Sequence, residues 1–199
     1  QCLSVRETSA AKEIDRITGR CAQVVLDPTL LLTKNEWSKV AETKRIVEKP
    51  YMLVYCLEES DLFFNAISQM AELSGHKVVV IAGSIRNRIK CADRILIDVG
   101  PKDFLNLFLN ADLVVTNSFH GTAFALNFQR PLVSVMHMTR NDRMSTLLES
   151  VGWKESQFQK GSSPTEMMSI ARTRAESVGV ETLNALRNDS LRFIETSLY

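Results

Sequence analysis

The chain contains short runs in which almost every residue is apolar, and amphipathic helical patterns separate these runs. The clearest run is Val-Val-Val-Ile at residues 78–81. A strand with one solvated face alternates apolar and polar residues, whereas a strand covered on both faces is apolar throughout. Apolar runs that alternate with helices therefore predict a parallel sheet with helices on both faces. We expect an α/β, Rossmann-like, doubly wound domain over roughly residues 50–160.

The predicted strands and helices follow one another regularly after about residue 50. Pro101 opens a helix, Thr8 is expected to cap another, and Gly19 and Gly75 end two. Residues 33–50 are charged and read as a helix or a connector. Strands are predicted at residues 3–6, 23–26, 52–57, 78–81, 94–99, 112–116 and 131–136. Helices are predicted at residues 8–18, 62–74, from 101, at 119–128, around 144–151 and along the tail from 163.

These elements divide the chain into three predicted parts. Residues 1–45 are expected to be the end of an N-terminal Rossmann-like domain with a connector. Residues 46–160 are expected to form a C-terminal Rossmann-like domain, and residues 161–199 to form C-terminal helices. Because the chain starts at Gln1 with a strand already in progress, we expect a fragment that lacks an N-terminal portion.

Composition limits the classes of partner. The 199 residues are 45% hydrophobic, which is enough for a substantial core and excludes wholesale disorder. The net charge of +1 argues against nucleic-acid binding through gross charge. No apolar run approaches the length that crosses a bilayer. The four cysteines stand far apart without a C-x-x-C pair, which favours buried reduced thiols in a cytosolic protein.

Metal and nucleotide motifs do not appear in the sequence. There is no acidic pair or histidine cluster at ligand spacing, and there is no G-x-G-x-x-G or P-loop sequence. We therefore predict neither a metal site nor a bound cofactor.

The loop that follows the sixth predicted strand carries the richest set of polar side chains. In an open parallel sheet, ligands bind at the carboxyl ends of the strands. A helix that starts there presents unpaired backbone N–H groups and the positive end of its dipole, which attract phosphate or carboxylate. Gly121 allows close backbone approach, and hydroxyls and an amide are available as further donors. The candidate anion ligands in this loop are Asn117, Ser118, Gly121 and Thr122.

Histidines near strand ends are the candidates for proton transfer. His120 lies in the first turn of the helix, where it could donate a proton or pair with a negative ligand. The alternative is that Asn117 and Ser118 merely cap the helix and that His120 is a satisfied packing histidine. His137 follows the next strand and could pack under the loop, whereas His76 lies in a helix-to-strand turn at the opposite edge.

Arginines are natural partners of an anion because the guanidinium is planar and always charged. Arg140 and Arg143 follow the strand predicted at residues 131–136, and Arg6 ends the first strand. Arg86 and Arg88 follow another strand end. Each of them is alternatively a solvated surface charge. The residues by themselves thus predict an anion-binding α/β domain with a histidine at a helix start, and they name no reaction.

At these same positions the chain resembles the polysaccharide pyruvyl transferase family. The most specific feature is Thr-Asn-Ser-Phe-His-Gly-Thr-Ala-Phe at residues 116–124. The likeness covers about residues 3–155, the C-terminal portion of the family domain. Its weaker features are residues 4–7, residues 25–32 with Trp37, residues 51–57, Gly100-Pro101 with Phe104, and Arg143 with Leu147-Leu148.

The resemblance implies a fold, an activity and a setting. It implies two Rossmann-like domains similar to the B-type glycosyltransferase fold, with residues 46–160 as the donor-binding domain. The implied reaction moves a pyruvyl group from phosphoenolpyruvate to sugar hydroxyls as a ketal, in bacterial capsular, exopolysaccharide or cell-wall glycan biosynthesis. Its partners would be phosphoenolpyruvate and a glycan or lipid-linked saccharide. The enzyme would be cytoplasmic or peripheral to the inner membrane, and this fragment alone would fold but be inactive.

The resemblance also assigns roles to residues and leaves alternatives open. His120 would be the acid that protonates the methylene carbon of phosphoenolpyruvate, or a ligand of its phosphate. Some relatives carry an Arg-x-His pair in this loop, and Ser118 stands at the arginine position here, so Arg143 or Arg6 would meet the phosphate charge. A B-type glycosyltransferase using a nucleotide sugar is the alternative enzyme, although residues 119–129 lack the acidic residue expected for it. A non-catalytic module that binds a small anion is the third possibility.

Overall fold

The computed structural model describes residues 2–82, 89–136, 142–177 and 179–198. Its strands are β1 (Ser4–Val5), β2 (Gln23–Val24), β3 (Tyr51–Tyr55), β4 (Lys77–Ile81), β5 (Arg94–Leu96), β6 (Leu113–Thr116), β7 (Leu132–Val135) and β8 (Gln157–Phe158). Its helices are α1 (Thr8–Thr18), α2 (Lys34–Val40), α3 (Asp61–Ser74), α4 (Pro101–Asn110), α5 (Phe119–Asn127), α6 (Asp142–Ser150), α7 (Pro164–Ser177) and α8 (Val180–Leu198). Short 3-10 helices lie at Pro28–Leu30 and Lys154–Ser156.

Strands β3 to β8 form one parallel sheet in the spatial order β5-β4-β3-β6-β7-β8. Val54 of β3 lies opposite Val80 on one side and Val115 on the other. The chain therefore begins the sheet in the middle, adds strands outward to β5, and returns to place β6 beside β3 before adding strands on the other side. This reversal makes the boundary between β3 and β6 the topological switch point, where open α/β sheets bind ligands. The prediction of a doubly wound α/β sheet is confirmed.

Both faces of this sheet are buried under helices. Leu53 of β3 packs in a core that includes Phe108 of α4. The neighbouring Val54 points to the other face, into a core that includes Phe63 of α3 and Met168 of α7. Because successive residues of each strand enter two separate cores, the strands are apolar at nearly every position.

Several predicted element bounds differ from the structure. The strand predicted at residues 94–99 ends at Leu96, and β8 was not predicted because two residues form no recognisable apolar run. Thr8 was expected to cap α1, but Glu7 occupies the cap position and its side chain makes no capping hydrogen bond. Residues 33–50, which were predicted to be a helix or a connector, contain α2. This helix starts with a reciprocal capping box between Thr33 and Glu36.

Strands β1 and β2 lie outside the six-stranded sheet and form their own parallel pair. Helix α1 connects them, so this segment is a small β-α-β unit. The division of the chain at residues 45 and 160 stays a prediction, and α7 contributes to the core of the six-stranded sheet.

Helix α8 ties the N-terminal segment to the six-stranded sheet. Arg187 is only 6% exposed. Its Nε donates to the backbone oxygen of Leu30 at 2.7 Å, and its Nη2 donates to Oδ1 of Asn127 in α5 at 3.0 Å. Its Nη1 donates to Oδ1 of Asn184. One guanidinium thus joins the first 3-10 helix, α5 and α8.

Two further predictions concern the cysteines and the membrane. None of the four cysteines is paired, but Cys2 and Cys21 are exposed, so the expectation of buried thiols is wrong for these two. Among the described residues, no helix combines the length and the apolar character that a membrane span needs.

Replacing Arg187 by methionine is expected to lower the free energy of unfolding by about 3 kcal/mol, since it leaves two buried acceptors, the oxygen of Leu30 and Oδ1 of Asn127, without this donor. Urea unfolding followed by circular dichroism measures the change. Arg192→Met is the matched control, because Arg192 lies on the same helix with a 73% exposed side chain. Equal losses of stability in the two variants would refute the stabilising role of the Arg187 hydrogen bonds.

Candidate functional site

A cleft of about 390 Å³ opens at the switch point between β3 and β6. The loop after β3 forms one wall, the start of α5 forms the floor, and α6 forms the other wall. Its position at the carboxyl ends of parallel strands is where the fold places a ligand. The cleft is lined by Leu57, Glu58, Asn117, Phe119, His120, Arg143 and Met144.

The passage from β6 into α5 is built around the hydroxyl of Thr116. This hydroxyl donates to the backbone oxygen of Tyr55 on β3 at 2.7 Å and accepts the N–H of Ser118 at 3.0 Å. Ser118 caps the helix, because its Oγ accepts the N–H of Gly121 at 3.3 Å. The end of β6, its neighbouring strand and the first turn of α5 are therefore held in one arrangement.

The first turn of α5 contains backbone N–H groups that have no acceptor in their own helix. The first helical hydrogen bond runs from the N–H of Thr122 to the oxygen of Ser118. The N–H groups of Phe119 and His120 precede that bond, so no carbonyl of their own helix can accept them. They lie at the positive end of the helix dipole and beside the cleft, which suits an anionic group.

Gly121 is required by the packing of this turn. A Cβ at this position would overlap Oγ1 of Thr116 and lie 3.1 Å from its Cβ. Any side chain would therefore push α5 away from the end of β6. The close approach that the sequence predicts at Gly121 is made to Thr116 within the protein.

Asn117 connects the two strands that flank the switch point. Its Oδ1 accepts the N–H of Leu57 at 2.9 Å, and its Nδ2 donates to the oxygen of Glu58 at 2.5 Å. The side chain is buried and lines the cleft. Both ends of its amide are thereby used to hold the loop after β3 against the start of α5.

His120 is exposed at the mouth of the cleft. Its ring meets the ring of Phe119 edge to face, with 5.5 Å between the centroids. The ring is therefore exposed and packs against Phe119, and the role of His120 stays a prediction. The position leaves the imidazole accessible to a ligand that enters the cleft.

Arg143 places a cation on the opposite wall. Its Cζ lies 5.5 Å from the centroid of the Phe119 ring. Its Nε lies 3.7 Å from Oε2 of Glu7, a residue of the N-terminal segment. The guanidinium and the helix start thus face the same space, and both favour a negative ligand.

The structure brings some of the predicted site residues together and not others. Asn117, His120 and Arg143 line one cleft. The hydroxyls of Ser118 and Thr122 are buried behind it, where Thr122 Oγ1 lies 3.2 Å from Oγ of Ser134. Direct ligand contacts of these two hydroxyls stay predictions. The candidates His137, Arg140, Arg86 and Arg88 lie outside the described residues.

Arg6 does not line this cleft but forms an ion pair with the carboxylate of Asp27. The Asp27 side chain is only 2% exposed, and it also accepts the N–H and the hydroxyl of Thr29. Burial raises the pKa of this carboxyl, but the hydrogen bonds from Thr29 and Arg6 together outweigh burial and lower the pKa below its ordinary value.

Cys56 follows β3 close to the cleft, so it could be considered as a nucleophile. Burial, helped by the charges of Glu59 and Glu58, raises the pKa of its thiol to about 11. The thiol therefore stays protonated at neutral pH, which argues against nucleophilic catalysis. In the described ranges, no three histidine, cysteine or acidic side chains cluster as metal ligands would.

Sequence reasoning missed five residues of this region, namely Leu57, Glu58, Phe119, Met144 and Glu7. The first two follow β3, and the rule that ligands bind at strand ends could have identified them once β3 was paired with β6. Glu7 could not be identified in this way, because only the tertiary structure brings it to Arg143.

Comparison with known proteins identifies the family. The model of the polysaccharide pyruvyl transferase family matches residues 2–137. The chain belongs to this family. The matched region contains most of the residues that line the cleft. No curated protein matches the sequence.

Solved structures of low sequence identity share the fold. The UDP-GlcNAc 2-epimerase of Methanocaldococcus jannaschii, in complex with UDP-GlcNAc and UDP, has a TM-score of 0.59 at 17% identity, over 88% of this chain and 54% of its own. A putative UDP-N-acetylglucosamine 2-epimerase of Listeria monocytogenes has a TM-score of 0.59 at 11% identity, over 100% and 59%. The UDP-GlcNAc 2-epimerase of Neisseria meningitidis has a TM-score of 0.50 at 12% identity, over 96% and 51%.

These likenesses show that the chain shares the α/β fold of these epimerases. The chain spans little more than half the length of the structures that it matches.

Substituting Gly121 by alanine is expected to lower the free energy of unfolding by about 2 kcal/mol, because overpacking against Thr116 outweighs the better helix propensity of alanine. Gly100→Ala is the control, since no atom lies within 4 Å of a Cβ built there. It should cost about 1 kcal/mol or less, the loss of a favourable cap residue. Chemical denaturation measures both, and equal losses would contradict the packing argument.

The pH dependence of stability tests the Arg6–Asp27 pair. The pKa of Asp27 is lowered by folding, so its carboxylate stabilises the fold above the unfolded pKa of about 4, and this contribution is lost as the pH falls through the folded value. Asp27→Asn should therefore be less stable than the wild type by about 2 kcal/mol at pH 7. The difference should shrink below a pH of about 4.

Thermal unfolding between pH 3 and pH 7 measures this difference. Asp189→Asn is the control, since Asp189 also pairs with an arginine but its side chain is 56% exposed. A stability difference for Asp27→Asn that is constant with pH would show that the charge of Asp27 plays no part.

Proposed function

We propose that the full-length protein transfers the pyruvyl group of phosphoenolpyruvate to sugar hydroxyls as a ketal, and that the cleft at the switch point is the donor site. The single observation that carries this proposal is the convergence of three groups on one cleft: the start of α5, the exposed His120 and the cation of Arg143. Membership of the polysaccharide pyruvyl transferase family supports it.

The donor carries two anionic groups, a phosphate and a carboxylate. The N–H groups of Phe119 and His120 can receive one of them, as anions are received at helix starts. Arg143 offers a planar donor to the other from the facing wall. Where some relatives place an arginine, Ser118 is buried as the cap of α5, so we assign the phosphate charge to Arg143.

The reaction needs one proton at carbon and two hydroxyl attacks. Protonation of the methylene carbon creates an oxocarbenium-like centre at the carbon that carries the phosphate. One sugar hydroxyl adds to this centre, the bond from that carbon to the phosphate oxygen breaks, and a second hydroxyl closes the ketal. Two hydroxyl protons are released, so that one balances the proton on the new methyl group and the other leaves with the phosphate.

His120 suits two roles in this sequence. As the imidazolium it can deliver the proton to the methylene carbon, because its exposed ring stands at the mouth of the donor cleft. It can equally hold the phosphate through an N–H. Both roles place the ring in direct contact with the donor.

Membership of the family supports a proposal for the acceptor and the setting. We propose a glycan or lipid-linked saccharide of capsular, exopolysaccharide or cell-wall biosynthesis as the acceptor. The enzyme would work in the cytoplasm or at the inner membrane surface, and it would need no metal or cofactor. Residues 1–199 alone would fold without transferring the pyruvyl group, because the acceptor site would need the rest of the enzyme.

A nucleotide-sugar enzyme is the second candidate, because the similar M. jannaschii structure is in complex with UDP-GlcNAc and UDP. Helix α5 reads Phe-His-Gly-Thr-Ala-Phe-Ala-Leu-Asn and contains no acidic residue to grip a ribose or sugar hydroxyl. This absence favours phosphoenolpyruvate as the donor.

Substituting His120 by alanine in the full-length enzyme is expected to lower turnover by on the order of a hundredfold or more, the scale of a lost acid–base group. Phosphate release from phosphoenolpyruvate with oligosaccharide or lipid-linked acceptors measures it. His76→Ala is the control, because His76 precedes β4 at the amino ends of the strands, whereas the cleft lies at their carboxyl ends. Wild-type turnover in His120→Ala would remove His120 from the mechanism.

A second variant separates the two roles of His120. Glutamine keeps an N–H donor but cannot deliver a proton, so His120→Gln should be as slow as His120→Ala if the histidine is the acid. If it only holds the phosphate, His120→Gln should recover most of the activity. Release of UDP from a nucleotide sugar, with no phosphate released from phosphoenolpyruvate, would favour the second candidate function.

A further inference from the structure

Glu7 is the residue of the N-terminal segment that reaches the donor cleft. It directly follows β1 and Arg6, and its Oε2 lies 3.7 Å from Nε of Arg143 at the start of α6. The two side chains are partly exposed, Arg143 at 42% and Glu7 at 30%. A pair of this kind contributes little to folding stability, because water screens both charges. Its place beside the cleft indicates a functional role.

The carboxylate of Glu7 does not bind the backbone N–H groups at the start of α1. Glu7 occupies the N-cap position of α1, where an acidic side chain commonly accepts a backbone N–H of the first turn. Its side chain makes no such bond. The carboxylate is directed instead across the segment boundary to the guanidinium of Arg143.

The neighbouring residue fixes the backbone from which Glu7 projects. Arg6 pairs with the buried carboxylate of Asp27, which Thr29 also holds. The position of Glu7 is thus anchored by a hydrogen-bonded group in the interior. A carboxylate on an anchored backbone can orient the flexible side chain of an arginine.

Arg143 is held on two sides and leaves part of its guanidinium for a ligand. Glu7 engages Nε, and the Phe119 ring lies 5.5 Å from Cζ. Between the guanidinium and the described part of the chain, no hydrogen bond is formed. Its terminal amino groups can therefore bind a phosphate or carboxylate in the cleft.

From these contacts we infer that Glu7 is a positioning residue, which orients Arg143 toward the phosphate of the donor. The inference rests on the proposed function for the identity of that donor. Glu7 acts through Arg143 and does not touch the substrate. Orientation before binding lowers the entropic cost of binding, so its loss weakens donor affinity more than it slows the chemical step.

A double-mutant cycle in the full-length protein tests this role. Glu7→Ala should raise the KM for phosphoenolpyruvate about tenfold and change kcat by less than about threefold, since orientation of one ligand is lost. Arg143→Ala should raise the KM further. Adding Glu7→Ala to Arg143→Ala should change nothing more, because the two residues act as one unit. Glu13→Ala is the control, on the same helix but paired with Arg16.

Two results of the kinetic experiment would overturn the inference. The first is an effect of Glu7→Ala that is undiminished in the Arg143→Ala background. The second is a large loss of kcat in Glu7→Ala together with a changed acid limb of the pH–rate profile, which would mark Glu7 as a general base for the acceptor hydroxyl.

Calorimetry with inorganic phosphate keeps this test separate from the proposed function. Glu7→Ala should weaken phosphate binding about tenfold in the wild-type background and not in Arg143→Ala. A wild type that binds phosphate but transfers no pyruvyl group would refute the proposed function, while the phosphate affinities still decide the role of Glu7. A wild type that binds neither phosphate nor phosphoenolpyruvate would overturn both.

Discussion

The hydroxyl of Thr116 is the contact on which the candidate site depends. It joins β6 to β3 through the oxygen of Tyr55 and receives the N–H of Ser118, so that the strand turns directly into α5. Gly121 lets the first turn of α5 rest on this residue. Because α5 starts so close to the strand end, its free N–H groups face the switch point of the sheet. The cleft, the exposed His120 and the approach of Arg143 all follow from this placement.

Much of the fold could be predicted from the sequence because burial on both faces leaves a simple pattern. The apolar runs of β3, β4 and β6 and the amphipathic faces of α3 and α4 each carry that pattern in a few residues. The two-residue strand β8 carries none. The N-cap of α1 was predicted at Thr8 but lies at Glu7. Threonine has a high propensity for the N-cap position, but here the backbone enters the helix one residue earlier.

The site was predictable in position but only partly in detail. Asn117, His120 and Arg143 were identified from their place after parallel strands, and all three line the cleft. The burial of Ser118 and Thr122 could not be predicted, because it depends on Thr116, Ser134 and the angle at which α5 leaves the strand. The contact between Glu7 and Arg143 links the separate β1–β2 sheet to the site, and only the tertiary structure reveals it.

The central claim is that the cleft between β3 and β6 receives phosphoenolpyruvate, with its carboxylate at the start of α5 and its phosphate at Arg143. Amide chemical-shift mapping of the full-length protein during titration with phosphoenolpyruvate tests it most directly. The account predicts the largest shifts at the N–H groups of Phe119 and His120, with further shifts at the Arg143 side chain, and their loss when inorganic phosphate occupies the site first. Saturable shifts confined to another part of the protein, with Phe119 and His120 unchanged, would contradict it.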